Sequence, residues 1–368
     1  MEQPHRERKM PAADRDPHLL LLGELLQIPA PSGREERMAA RVMQHIETLG
    51  GVPQLDAQGN VWVEVAGRQP ELGRVALASH LDEIAAVITA IEPDGQLRVQ
   101  RSGGLYPWKL GEGPMVIVGE DEQLVAAHLG FGSGHTNDPQ DPIAQFMAGS
   151  KGLTWADCRL YTGLSPQELK QAGVRVGSCA VPALSVRGPH VFGPASDPLV
   201  SAWILDNRGG TVALLGLLRR LREEGLKPRR TLDLCFMVQE ETGTLGARGW
   251  AARNPVEIFI AVDSSPMPTG SQLTLDGRPA TWSKDAGAHF DQALIGDMGR
   301  AAARAGTELQ YAVYGAAFSD ATGVLETGLA PRAATVGYPR LYSHGYEVSR
   351  LSVFENLVGM LCEYVKEA

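Results

Sequence analysis

Much that would place this chain quickly is missing from it. Its 368 residues hold only four cysteines, Cys158, Cys179, Cys235 and Cys362, far apart and without a Cys-x-x-Cys pair. That argues against cysteine-rich zinc motifs and dithiol redox motifs, and it fits a reducing cytoplasm. Cys235 and Cys362 stand among apolar neighbours and read as small core residues. No apolar run approaches the ~20 residues of a membrane span. Basic residues do not predominate: 34 Lys and Arg against 43 Asp and Glu give a net charge of −9. A partner gripped by its phosphate backbone needs the opposite balance, so neither nucleic acid nor membrane is expected as a partner. The opening stretch Met1 to Asp16 is polar, with no apolar core, and is not a secretory signal. A flexible or disordered tail is expected over 1–16. There is no internal repeat. Neither Gly103-Gly104 nor Gly209-Gly210 belongs to a Gly-x-Gly-x-x-Gly after a strand, so the dinucleotide fingerprint is absent too.

What is present has the composition of a globular protein, 43% hydrophobic and 21% charged. The length exceeds that of a usual single domain, so two domains, or one with a large insertion, are expected. Helices are predicted over His18–Leu26 and Arg34–Leu49, the second with Met38, Val42 and Ile46 on one face and Gly50-Gly51 as its stop. Strands follow at Asn60–Val65 and Val75–Ala78. From about Val87 to His190 the texture changes to short β-like pieces, Leu97–Gln100, Met115–Val118 and Gln123–Ala127, separated by glycine, proline and acidic turns. Within it, Gly130 to Gly149 reads as a long loop, functional or disordered. Helical character returns with Gly209–Glu224, whose stripe Val212, Leu215, Leu218 and Leu221 faces a core, then strands Leu232–Val238 and Ile258–Val262 and a last helix Leu351–Lys366. The fold class expected is α/β, a mixed central sheet flanked by helices, with an inserted small β-barrel-like domain. Its boundaries would be 17–86 plus 192–368 for the catalytic part and 87–191 for the insertion.

The chemistry begins at Gln239-Glu240-Glu241, which closes the apolar run Thr231–Val238. Adjacent carboxylates at the end of a buried strand are costly unless something positive holds them, and open α/β sheets keep their ligands at the carboxyl ends of strands. Four more ligand-type residues follow apolar runs. Val75–Ser79 leads to His80-Leu-Asp82, Trp203-Ile-Leu to Asp206, Ile258–Val262 to Asp263, and Ala334-Thr-Val336 precedes Tyr342-Ser-His344-Gly-Tyr-Glu347. Five termini are expected to converge on one edge of a sheet. Each has an ordinary reading by itself: a surface turn for His80-x-Asp82, a helix N-cap for Asp206, a solvated helix start for Glu240-Glu241, a capped turn for Asp263, a core histidine for His344. Their coincidence in order is what points to a metal site. Two histidines with three or four carboxylates suit Zn²⁺, Co²⁺ or Mn²⁺ better than Ca²⁺. Two ions are natural, with one bridging carboxylate. Three ligand carboxylates then leave one positive charge to stabilise a hydroxide, the two-metal hydrolytic arrangement. Elsewhere, His135-Thr-Asn-Asp138 reads as part of a flexible loop and Asp285 with His289 as a surface pair.

The ordered set His80-Leu-Asp82, Asp206-Asn-Arg, Glu240-Glu241-Thr-Gly, Asp263 and Tyr-Ser-His344 resembles the tetrahedral aminopeptidases. These are the dinuclear-metal, cytosolic family that includes glutamyl and deblocking aminopeptidases, and the match runs from about Leu19 to the C-terminus. The resemblance implies two divalent metal ions (Zn, Co or Mn) per subunit. Asp206 would be the bridging ligand, His80 and Asp263 would complete one metal, and Glu241 and His344 the other. Glu240 would be the general base, and Asp82 would hold the His80 ring. It also implies a cis peptide after Asp206, peptide substrates with a free amino terminus, and a homo-oligomer in which dimers formed through the inserted domain build to a dodecamer. Departures are Ala85 in place of a glycine, a mild change, and the segment Ala280–Phe290, a loose Ser319-Asp320-Ala321 and an approximate Tyr338–Tyr342, which the resemblance places nearer to specificity than to chemistry. The rival readings are a dinuclear-metal deacylase or carboxypeptidase-type amidohydrolase of the same fold, and a non-catalytic scaffold.

Overall fold

Strands too apolar to face water on either side form the centre of the protein. Thr231–Met237, Arg74–His80, Ile258–Pro266 and Arg332–Arg340 pair in parallel in that order, as strands covered on both faces do. The computed structural model describes residues 16–368. Val61–Val65 and then Gln54–Leu55 extend the parallel core antiparallel on one side; on the other, Ala280–Lys284 joins antiparallel and Gln310–Val313 closes the eight-stranded sheet. Helices flank this mixed sheet, as the sequence predicts. Pro17–Leu26 starts at Asp16, whose carboxylate accepts the His18 and Leu19 N–H groups. Glu36–Thr48 buries Met38, Val42 and Ile46, and Ser352–Glu367 closes the described chain. The tail expected to be flexible lies outside the described residues except for Asp16. Among the described residues no helix is long and apolar enough to cross a membrane.

Six strands, Ala85–Ile91, Leu97–Ser102, Arg159–Tyr161, Leu124–Gly130, Gly113–Val118 and Cys179–Pro182, close in that order into a barrel. Closure leaves no free edge, and Ile88, Leu97, Met115, Ile117, Leu129 and Leu160 fill its interior. The stretch read as a loop from Gly130 to Gly149 contains a short helix, Pro142–Met147, capped by Asp141.

A second open sheet, besides the main sheet and the barrel, was not foreseen. His190–Phe192, Leu199–Trp203 and Tyr346–Arg350 pair antiparallel apart from the main sheet. The expectation that all five ligand-bearing termini leave one sheet is therefore corrected: Asp206 and His344 come from this second surface. The reason is visible in Leu199–Trp203, which alternates half-buried and buried positions and lacks the two-sided apolarity of a central parallel strand. The helix after it is Leu205–Glu223, with Asp206 and Asn207 out of helical geometry at its start, and the Asp206–Asn207 peptide is cis.

The first and last helices are tied by Glu355, whose carboxylate lies 2.9 Å from His18 Nε2 and also takes Arg220. The His18 hydrogen bond and the Arg220 guanidinium, against the opposing effect of burial, hold its pKa at about 2, down from 4.5. Its stabilising contribution is complete above the unfolded value of 4.5 and is lost as pH falls toward 2. Glu355→Gln is expected to flatten the acid limb of a Tm-against-pH curve in that window. The effect will be modest because Glu355 is half exposed, and an unchanged acid limb would remove the carboxylate from the account.

Candidate metal centre and active site

Each candidate side chain is delivered by a different piece of backbone. His80 ends its strand, held by Thr231–Met237 on one side, and is 2% exposed. Asp263 lies inside a strand, not at its end as expected: pairing with Arg332–Arg340 runs on through Pro266, although pairing with Arg74–His80 stops at Ala261. That pairing having stopped, Asp263 stands at the sheet's carboxyl edge all the same. Glu240 and Glu241 follow Met237 in a turn that enters the helix Leu245–Arg253, with Gln239 at φ 54° and Thr244 at φ 56°. Asp206 begins the helix off the second sheet, and His344 occupies the turn before Tyr346–Arg350 at φ 59°.

These residues meet. Ligand atoms of His80, Asp206 and Asp263 lie within 4.8 Å of one another, as do those of Asp206, Glu241 and His344, and those of His80, Glu240 and Glu241. Asp206 belongs to the first two clusters. Its Oδ1 is 3.2 Å from His80 Nε2, while His344 Nε2 is 3.8 Å from both Asp206 Oδ2 and Glu241 Oε2. Glu240 Oε2 is 3.9 Å from His80 Nε2. The His344 ring rests on the barrel: Nδ1 is 3.1 Å from the Gly104 carbonyl, and a Cβ at Gly104 would fall 2.2 Å from that nitrogen, so a side chain there would displace it. Together these residues floor a cavity of about 1120 Å³.

Asp82 does more than the sequence suggests. The strand stops at His80, so Asp82 is placed by the loop that follows and not by strand alternation. Its Oδ1 is 3.4 Å from His80 Nδ1, but its two oxygens also accept the Glu240 N–H at 2.9 Å and the Glu241 N–H at 3.1 Å, with the Ser32 hydroxyl donating at 2.7 Å. Glu35, which nothing in the sequence singled out, accepts the preceding Gln239 N–H at 3.0 Å. Three successive backbone donors of the turn are thus held by two buried carboxylates. Burial, reinforced by the Asp82 charge, pushes Glu35 up to about 7.

The electrostatics are those of a site short of positive charge. Burial raises Glu240, Glu241 and Asp263 well above the usual carboxylate range, and the Asp206 charge adds to the effect on Glu241 and Asp263. Asp320, buried beside them, is pushed by burial to about 7. Asp206 is the exception. Burial works against its charge, but the Arg340 guanidinium, with His80, holds it well below the ordinary value. Glu241 Oε1 is buried without a hydrogen-bond partner. Clustered buried carboxylates, one with an orphaned oxygen, together with two imidazoles, fit a divalent cation of the Zn²⁺, Co²⁺ or Mn²⁺ kind.

The cavity wall carries two further cations, Lys109 from the barrel and Arg248, the latter paired with Glu326 at 3.2 Å. Trp282 reaches it from the divergent segment Ala280–Phe290. Other candidates stay apart. Asp285 is fully buried and accepts the Gly287 and Ala288 N–H groups, so it organises a turn and is not a surface partner of His289. His128 and His135 enter none of the three clusters.

A model of the M42 glutamyl aminopeptidase family matches residues 59–360. The glutamyl aminopeptidase of Lactococcus lactis is 28% identical over 262 residues, 66% of this chain and 65% of the relative. The lysyl aminopeptidase of Pyrococcus furiosus is 25% identical over 255 residues, 66% of this chain and 65% of the relative. The matched stretch therefore spans just under two thirds of these two relatives. Among solved structures, the TET1 peptidase of Pyrococcus horikoshii, described as able to assemble into a tetrahedron or a large octahedral shell, superposes with a TM-score of 0.82. Its identity is 24%, over 95% of this chain and 100% of that one. At that identity the likeness establishes the fold.

Proposed function

The chain belongs to the M42 glutamyl aminopeptidase family, and from that premise we propose that it is a metal-dependent aminopeptidase that removes the first residue of peptides. The observation that carries the reading is the pair of ligand clusters sharing Asp206 on the floor of the cavity. His80 and Asp263 would hold one divalent ion, Glu241 and His344 the other, and Asp206 both. Two such ions, when bound, would polarise a scissile carbonyl and make a hydroxide available at neutral pH. Glu240 is the acid of the cavity floor left over from these two sets. It is suited to take the proton of the attacking water and return it to the departing amine nitrogen. Asp82 keeps Glu240 in place through the backbone N–H and steadies the His80 ring.

Arg340 is the cation nearest the clusters, but it is 1% exposed and both its arms are engaged, on Asp206 and Glu347, so it offers no free receptor for a terminal carboxylate. Lys109 and Arg248 of the cavity wall remain as cations that a terminal carboxylate could meet, so the carboxypeptidase-type and deacylase alternatives are decided by experiment. The test is hydrolysis of aminoacyl-anilides beside N-acetylated counterparts, after chelation and return of Zn²⁺, Co²⁺ or Mn²⁺. Chelation is expected to abolish cleavage, and metal to restore it, for free-amino substrates alone. Cleavage of the acetylated set would transfer the chain to the deacylases. Because one relative is named glutamyl and the other lysyl, the same panel reads out the preferred first residue.

The reading extends to assembly. Homo-oligomers built through the barrel, dimers growing to dodecamers, are supported by the assembling Pyrococcus horikoshii TET1 peptidase and by the stacked Tyr106 and Trp108, 45% and 62% exposed next to the barrel strands. Light scattering at the mass of twelve chains is the expected result. A cytoplasmic location is supported by four cysteines that are all free.

A further inference from the structure

Outside the ligand set, and besides Asp82, one buried carboxylate is bonded to it twice. Glu347 lies in Tyr346–Arg350 opposite Ala202 of the strand Leu199–Trp203, and it is fully buried. That register sets it beside both segments that leave the second sheet at this end, the turn bearing His344 and the helix start bearing Asp206. Its Oε2 accepts the Asp206 N–H at 2.8 Å. Its Oε1 accepts the His344 N–H at 2.9 Å and also takes an Arg340 N–H. The other arm of Arg340 donates to the Asp206 carboxylate itself. With both oxygens taken, Glu347 is not a spare ligand.

The remaining ligands have other anchors. His80 and Asp263 are fixed by strand pairing, and the Glu241 N–H is held by Asp82. The His344 ring also meets the Gly104 carbonyl at 3.1 Å, but the backbones of Asp206 and His344 lack strand pairing: the first sits where the chain departs from helical geometry, the second in a turn at φ 59° with its side chain 32% exposed. We propose that Glu347 is a positioning residue for the metal site, fixing the backbones of Asp206 and His344 against each other and so setting the spacing of the Asp206–Glu241–His344 cluster. This rests on the metal-site reading given above. A carboxylate is needed because donors approach both of its oxygens, and a glutamine must turn its NH₂ toward one of them.

The test compares the wild type with Glu347→Gln. The metal-free proteins are titrated with Zn²⁺ against a chromophoric chelator, the Co²⁺ forms are read by visible absorption, and the metal-free forms are unfolded in urea. Asp233→Asn is the control: Asp233 is equally buried and paired with Arg74 at 2.6 Å, but it lies toward the opposite end of its strand from the site. The wild type is expected to bind two ions. Glu347→Gln should bind at least one of them 10–100-fold more weakly, the usual range for losing an outer contact to a ligand, with an altered Co²⁺ spectrum. Asp233→Asn should lose stability with both affinities intact. Wild-type affinities and spectrum in Glu347→Gln, with only the unfolding midpoint lowered, would overturn the proposal. Should the glutamine variant not fold, Glu347→Asp keeps the charge but is one methylene too short to span both N–H groups, and the same loosening is expected; wild-type affinities there would overturn it equally. A wild type that binds no ions would refute the site reading itself, a result distinct from either.

Discussion

Glu240→Gln is expected to lower kcat by about 10²–10⁴-fold, the range for a positioned general acid–base group, while both metal ions stay bound and KM changes little. The substitution is isosteric and keeps the backbone N–H that Asp82 accepts, so the turn survives. Only the proton-accepting function goes. Burial and the neighbouring Asp320, Asp263 and Glu241 charges push Glu240 well above 4.5, with His80 opposing. Divalent ions among those carboxylates reverse that balance and favour the charged form, as a base requires. Metal analysis beside steady-state kinetics decides the matter. Loss of an ion with the activity would make Glu240 a ligand, and full activity would remove it from the chemistry.

The largest effect on stability is expected at Glu83→Ala. Glu83 is completely buried, and its Oε2 takes Arg187 Nη2 at 2.7 Å and Trp203 Nε1 at 3.0 Å. Its Oε1 takes the Ala30 N–H at 2.9 Å and Arg208 Nη2 at 3.3 Å. One carboxylate thus joins the chain after the first helix, the exit from the barrel and the helix that starts with the Asp206 segment. Removing it leaves two buried guanidinium groups without a counter-charge, which costs about 3–5 kcal/mol. By contrast, deleting the exposed Arg300–Asp297 pair should cost no more than about 1 kcal/mol. Urea unfolding at matched protein concentration measures both. A loss below about 1 kcal/mol for Glu83→Ala would mean that Arg187 and Arg208 are satisfied by their carbonyl partners alone.

The candidate site was legible because each member interrupts or follows an apolar run, as His80 follows Val75–Ser79 and the Glu240-Glu241 pair follows Thr231–Val238, and polar groups in such places require a reason. What was not legible depends on pairing between distant segments. Ala202 meets Glu347 between two strands far apart in sequence, so neither the separate sheet nor the double grip of Glu347 could be read locally. Asp263 was expected at a turn because Ser264-Ser265-Pro266 follows it. The strand continues because Arg332–Arg340 is long enough to stay paired, while the proline, which has no N–H to give, falls where the other neighbour has already ended. Asp82 was assigned to the His80 ring by the family resemblance, and its place two residues on agreed with that. Its grip on the Glu240–Glu241 turn arises from loop geometry for which the sequence carries no periodic signal.

The central claim is that Asp206 is shared by two ions. Anomalous diffraction at the zinc edge, from crystals of the Zn²⁺-loaded protein, tests it most directly. The account predicts two peaks flanking Asp206, one against His80 and Asp263 and the other against Glu241 and His344. A single peak, or peaks that leave Asp206 without a metal contact, would contradict it.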